Sequence, residues 1–120
     1  MAAPNIVNVT TITGKVAGLL PTTSAANIVS NAAASGTLVK VNSLVVANVN
    51  GTTAADITVQ LYKNQSVLFP IAWTVSVPAD SSIVIVSKDS GIYLEENDSI
   101  QLTASINSYL SAVCSYEIIS

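Results

Sequence analysis

No histidine and no arginine occur in this sequence, and there is a single cysteine, Cys114. Histidine is the commonest general base and a frequent zinc ligand, so its absence removes the serine–histidine relay and the usual zinc sites. One cysteine cannot form an intrachain disulfide, and without histidine or arginine it lacks the usual groups that lower a thiol pKa. We therefore predict no catalytic residue, no metal, no cofactor and no enzymatic activity, with Cys114 as a small core residue.

Charge is also scarce, because only 9% of the residues are charged and the net charge is −3. Ordinary soluble domains contain about 25% charged residues. The four lysines, Lys15, Lys40, Lys63 and Lys88, are spread along the chain and form no basic patch of the kind that nucleic acid requires. Ser, Thr and Asn replace the missing charge. Such a neutral surface suits contact with other protein, and we predict no nucleic-acid partner.

Long apolar runs are missing too. No stretch approaches the ~20 residues of a membrane span, and the first residues lack the pattern of a signal peptide. We expect no membrane partner and folding in a reducing cytosol. The length fits one domain covering residues 1–120, which is large enough to bury a core.

What the sequence does contain is two-residue alternation, which is typical of strands with one buried face. Turn-forming residues separate these runs at roughly ten-residue spacing, a pattern that predicts an antiparallel sandwich or barrel. A strand at 26–30 is favoured over a short helix at 24–35. Residues 6–16 look extended, with a bulge or a bend expected between Val9 and Ile12. The other predicted strands are 38–50, 55–63, 69–77, 82–87, 100–106 and 110–118.

Two apolar features could contact a partner or be covered by loops of the same chain. Within 38–50 the apolar row is formed by odd positions, which leaves Leu44 and Val46 on the opposite face. The run Ile83, Val84, Ile85 and Val86 is apolar on both faces. In residues 69–77 the odd positions are predicted to face the core, and these are Phe69, Ile71, Trp73, Val75 and Val77.

Tyrosines and acidic residues supply the remaining candidates. Tyr62, Tyr93 and Tyr109 lie near strand ends or turns, where they would stack on a sugar or a partner, or simply pack at an edge. The acidic cluster is interpreted as a solvated turn in which Asp98 binds nearby backbone amides. The alternatives are a metal site or a hydrolase. The cluster consists of Asp89, Glu95, Glu96 and Asp98.

Three stretches together carry a family resemblance: residues 3–9, residues 41–59 without 52–54, and residues 92–105 with Ser115-Tyr116-Glu117. They resemble small virion structural proteins of tailed bacteriophages, especially those of marine cyanophages. The similarity covers nearly the whole chain, but each motif is a strand–turn–strand that other sandwiches share. Related sequences often carry glycine where this chain has Asn97, a residue that also tolerates a left-handed turn.

The resemblance implies an all-β, jelly-roll-like antiparallel sandwich of about eight strands on the capsid exterior of a virion, made in the host cytoplasm. The leading function that the resemblance implies is capsid decoration. In this role the protein cements the lattice of the major capsid protein as a homo-oligomer, with a trimer favoured. A neck, tail or fibre component is the structural alternative. A module that binds host glycan is the second class.

Overall fold

The computed structural model describes residues 11–87, 89 and 91–120, and the expected bulge or bend between Val9 and Ile12 lies partly outside them. These residues form nine β-strands and no α-helix. The strands are β1 (Ile12–Leu19), β2 (Ala26–Ser30), β3 (Leu38–Asn48), β4 (Ala55–Lys63), β5 (Val67–Val77), β6 (Ser82–Val86), β7 (Ile92–Leu94), β8 (Ser99–Ala104) and β9 (Leu110–Ile119).

The strands form two antiparallel sheets packed as a sandwich. The front sheet has the order β1-β9-β3-β6, with β7 also paired to β3, and the back sheet has the order β2-β8-β4-β5. Most connections pass from one sheet to the other, which is the arrangement of a double-sheet jelly roll. The predicted fold class is confirmed. The short β7 was not predicted; it occupies the same side of β3 as β6, opposite residues 39–41.

Aliphatic side chains from both sheets fill the space between them. The predicted alternation in β4 is confirmed, because Ala55, Ile57 and Val59 are buried. The alternation predicted for β9 also holds, and Cys114 is a fully buried core residue as expected. The largest buried side chains of the core are Leu44, Ile57, Leu94, Ile100, Leu102 and Leu110.

A bulge in β3 reverses the predicted faces of its second half. The pairing of β3 with β9 shifts register between Val41 and Ser43, so one extra residue, Asn42, enters the strand. An insertion of one residue moves every later side chain to the other face. Leu44 and Val46 are therefore fully buried in the core, and the prediction that they face outward is wrong.

Strand β5 departs further from the predicted pattern. Its pairing with β4 shifts register twice, and Thr74 adopts a left-handed φ of 46°. Of the five side chains predicted to face the core, only Val77 is fully buried and Ile71 is half-buried. Phe69, Trp73 and Val75 are exposed, so their assignment to the core is wrong. Phe69 and Val75 are in register with the core-facing Leu61 and Ile57, so they are exposed because β5 is the edge strand, whereas the bulges displace Trp73.

Two buried asparagines tie the sheets together. The Asn48 Nδ2 group, on the front sheet, donates hydrogen bonds to the carbonyl oxygens of Thr53 and Val77, and Val77 belongs to the back sheet. Asn31, just after β2, likewise donates to the carbonyl oxygens of Thr37 and Leu94. An amide buried without such partners would destabilise the fold, so these bonds fix how the sheets meet.

Asp98 organises the turn between β7 and β8. Its carboxylate is almost fully buried and accepts hydrogen bonds from the backbone amides of Asn64 and Glu95, at 2.8 and 3.0 Å. The Lys63 ammonium lies 2.9 Å from the same carboxylate and 3.2 Å from Glu95. Asn97 has a left-handed φ of 71°, the conformation that makes it a substitute for glycine.

We predict that Asp98→Ala lowers the free energy of unfolding by about 3 kcal/mol, since it leaves two backbone amides without their acceptor and removes the nearer of the two carboxylates that contact Lys63. Urea denaturation followed by circular dichroism measures this. Asp56→Ala removes the same charge from a half-buried position on β4 and serves as the control. Equal effects of the two substitutions would contradict the role assigned to Asp98.

Candidate interaction surfaces

Within residues 11–87, 89 and 91–120, no helix is long and apolar enough to cross a membrane. The same residues contain no group of three or more side chains arranged to hold a metal ion, and no cavity opens among them. The features that stand out are apolar side chains on the surface. Several of them form two separate groups, one on each sheet, and others lie outside these groups: Ile12, Leu20, Val49, Tyr93 and Ile106.

The first group lies on β5, the edge strand of the back sheet, and is called here the β5 strip. Its members are exposed apolar residues: Val67, Leu68, Phe69, Trp73 and Val75. Phe69 is 52% exposed and Trp73 is 62% exposed, although they are the only phenylalanine and the only tryptophan in the sequence. Large aromatic side chains are normally the first to be buried, so their exposure indicates a contact surface.

The local sequence explains why β5 does not pair with a further strand of its own chain. Pro70 lacks an amide hydrogen, and the irregularity at Trp73 and Thr74 opposes Thr58 of β4. Proline and bulges are devices that keep edge strands from uncontrolled pairing. The strip therefore offers side chains to a partner more readily than a backbone edge.

The second group lies on the outer face of the front sheet and is called here the valine row. Val113 of β9 is in register with Gly18 of β1 and with Val45 of β3, and Val45 is in register with Val84 of β6. Val113 and Val84 are 48% and 62% exposed. Val16, two residues from Gly18 on the same face, is 70% exposed. The row thus crosses four strands without a charge.

Of the six apolar residues predicted to contact a partner, the structure leaves only Val84 fully available. Leu44, Val46 and Val86 are buried in the core of their own chain, so a folded subunit cannot present them. Ile83 and Ile85 are half-buried and pack against that core. These residues are covered by the opposite sheet and not by loops, and Val84 stays a candidate contact residue.

The three tyrosines do not form a single stacking surface. Tyr93 is in register with Lys40 at one end of β3, whereas the Tyr109 carbonyl oxygen accepts a hydrogen bond from the amide of Val49 at the other end. Nine residues of extended chain separate these positions by roughly 30 Å. Tyr62 lies on β4 in the other sheet. A single ligand cannot span all three.

The acidic residues are also distributed. Asp98 is buried and Glu95 is exposed, and both contact Lys63, whereas the Glu96 carboxylate accepts a hydrogen bond from the amide of Gly36. Asp89 is exposed. The prediction that Asp98 binds backbone amides is confirmed, and its burial removes it from any surface substrate.

Sequence reasoning missed the β5 strip because it treated Pro70 as an ordinary strand residue. A proline inside a strand indicates an edge strand or a bulge, and that signal was present. The valine row was missed because the bulge at Asn42 decides which β3 residues face outward. No alternation pattern shows such a bulge in advance.

No family model matches the chain, and no curated protein matches it. Among solved structures, one similar chain belongs to a structure described as "Bacillus endospore appendages form a novel family of disulfide-linked pili". The alignment covers 92% of this chain and 87% of that one, with a TM-score of 0.54 and 12% sequence identity. At this identity the similarity concerns the fold alone.

Burial in the core keeps the Cys114 thiol away from solvent and reagents. Burial raises the pKa of its thiol from 9.0 to about 11, so the thiol is protonated at neutral pH. The unfolded thiol ionises first as the pH rises, because its pKa is lower. The stability that the buried thiol contributes is therefore complete below pH 9.0 and is lost as the pH rises towards 11.

We predict that Cys114 in the folded protein reacts with a thiol reagent at pH 8 at least about a hundredfold more slowly than in urea, because both ionisation and access require opening of the core. Absorbance of the released chromophore measures the rate. Cys114→Ala, which releases no chromophore, gives the blank. Equal rates in the folded and unfolded protein would show that the thiol is accessible.

Proposed function

We propose that this protein is a non-enzymatic structural subunit of a multi-copy assembly, and specifically a capsid decoration protein of a tailed bacteriophage. The observation that carries the proposal is the β5 strip, where the only tryptophan and the only phenylalanine of the chain are both more than half exposed. The resemblance of three stretches of sequence to phage virion proteins is the reason for proposing a phage capsid as the assembly.

The β5 strip has the composition of a protein-binding surface. Tryptophan and other large aromatics contribute most to the affinity of protein interfaces when a partner desolvates them. Val67 lies on the same face of the strand as Phe69, and Leu68, in register with Tyr62, lies on the opposite face. The nearest polar residues of the strand, Thr74 and Ser76, carry no charge. We infer that the β5 strip docks on an apolar surface of the major capsid protein.

Binding of this kind stabilises a shell by mass action. A subunit that binds the assembled lattice and not its dispersed parts shifts the equilibrium towards the lattice. Many identical weak contacts add through multivalency. Because the strip is uncharged, salt screens little of its attraction, so attachment should persist at high ionic strength.

Attachment would be non-covalent. The pilus that shares the fold is described as disulfide-linked. In this chain the single cysteine is buried in the core with a raised pKa, so it cannot join folded subunits without disruption of the sandwich. The exposed aromatic side chains would take the place of a covalent link.

We predict that Trp73→Ser, Phe69→Ser and the double variant progressively lose binding to particles that lack the protein, with about 2 kcal/mol lost for each aromatic side chain. Cosedimentation with the particles measures binding, and quenching of Trp73 fluorescence by acrylamide should fall when the wild type binds. Val49→Ser removes an equally exposed apolar residue from the end of β3 and should bind normally. Normal binding by the double variant would refute the role of the strip.

A second prediction concerns the particle. Heads that lack the protein should lose their contents at lower temperature and after milder osmotic shock than complete heads, because the lattice loses its cementing contacts. Re-addition of the wild type should restore survival, whereas the Phe69→Ser/Trp73→Ser variant should not. Unchanged survival without the protein would contradict cementing.

A fibre, neck or tail subunit is the second candidate, and the specific support is that a chain of similar fold comes from a pilus. Copy number separates the two locations: about six to twelve copies, or multiples of them, indicate a neck or tail with cyclic symmetry, whereas hundreds indicate the capsid. A module that binds glycan is less favoured, since the tyrosines do not converge.

A further inference from the structure

We propose that the outer face of the front sheet is a second interface, through which two copies of this chain form a symmetric, face-to-face dimer. This deepens the proposed function, on which it rests, by naming the self-association surface of the subunit. The occupant is a second copy because the face complements itself, as its cross-strand rows show.

The cross-strand registers within one subunit decide which residues of two copies would meet in such a dimer. A two-fold axis that runs parallel to the strands, between β9 and β3, would place β9 of one subunit over β3 of the other and β1 over β6, with each row facing its own equivalent. On the valine row, Val113 then meets Val45 of the partner. At the ends of the row, Gly18 meets Val84 of the partner.

The shapes at these positions match. Val84 is 62% exposed and projects from β6, whereas Gly18 is exposed and has no side chain. A methyl group at Gly18 would meet only the carbonyl oxygen of Ala112, at 3.8 Å, so a side chain of another subunit meets no obstruction there. The projecting valine of one copy would lie over the unobstructed glycine of the other, twice in each dimer.

The charged residues of this face are also complementary between the two copies. Two rows away, Lys40 of β3 is in register with Glu117 of β9, and the Glu117 carboxylate accepts a hydrogen bond from Asn42 at 2.9 Å. The same two-fold axis places Lys40 of one subunit over Glu117 of the other, in both directions. Sheet twist offsets rows at this distance from the centre by about one strand spacing, which these long side chains can span.

The size of the face fits a weak dimer. Four strands at about 4.8 Å and eight residues at about 3.3 Å give a flat area of roughly 500 Å² per subunit. The total of roughly 1,000 Å² lies at the lower limit for a specific interface. Between the valine row and the Lys40–Glu117 row, the described face carries the neutral residues Asn42, Ser43 and Ser115 beside Val16.

Sedimentation equilibrium over a range of concentrations tests the dimer. To isolate this face, the measurements use the Phe69→Ser/Trp73→Ser background, which removes any association through the β5 strip. We expect a monomer–dimer equilibrium that Val113→Lys weakens at least about a hundredfold by placing two charges in the apolar centre. Val67→Lys, an exposed valine of β5 on the other sheet, is the control and should leave the equilibrium unchanged.

Charge reversal provides the sharper test. Lys40→Glu and Glu117→Lys should each weaken the homodimer about tenfold, because each places like charges opposite one another twice. An equimolar mixture of the two variants should regain association near the wild-type level, since both cross-subunit contacts again join opposite charges. The like charges within each subunit remain in the mixture, so a folding defect cannot produce this recovery.

Three results would overturn the dimer: a strictly monomeric or trimeric protein, an unchanged equilibrium for Val113→Lys, or no recovery in the mixture. A trimer would instead fit the oligomer implied by the sequence resemblance. Binding of the same variants to phage heads is scored separately. If the β5 variants lose head binding but still form the dimer, or bind heads but no longer form the dimer, the proposed function and this inference are distinguished from each other.

Discussion

The closure of two sheets over a single aliphatic layer is the constraint on which the rest of this protein depends. The layer is built from residues such as Leu44, Ile57 and Leu102, which are fully buried. Because hydrophobic burial is the main favourable term in folding, the position of each strand follows from the need to present such residues inward. The buried amides of Asn31 and Asn48 and the carboxylate of Asp98 then set the ends, where the chain crosses between sheets.

Bulges in β3 and β5 influence which apolar side chains lie on the surface. In β3 a single extra residue at Asn42 moves Leu44 and Val46 into the core and places Val45 on the outer face. In β5 two irregularities carry Trp73 out of the core altogether. The valine row and the exposure of Trp73 therefore follow from local irregularity, whereas Phe69 and Val75 are exposed because β5 is the edge strand.

The two surfaces lie on opposite sheets, which matters for a subunit of a larger assembly. If the β5 strip binds a lattice and the valine row binds a second copy, the subunit connects neighbours instead of capping one site. The scarcity of charge suits both roles, since the contacts then depend on shape and apolar area. The single ion-pair cluster of the described turns, around Lys63 and Asp98, serves the fold.

The amino-acid sequence by itself determined the strand class, most strand positions and the burial of Cys114, because alternation and turn chemistry are local properties. Only the tertiary structure decided which face of β3 points inward, that β7 pairs with β3, and that Phe69 and Trp73 stay outside. Those outcomes depend on register between strands distant in sequence, and a shift of one residue reverses them without any change in the local pattern.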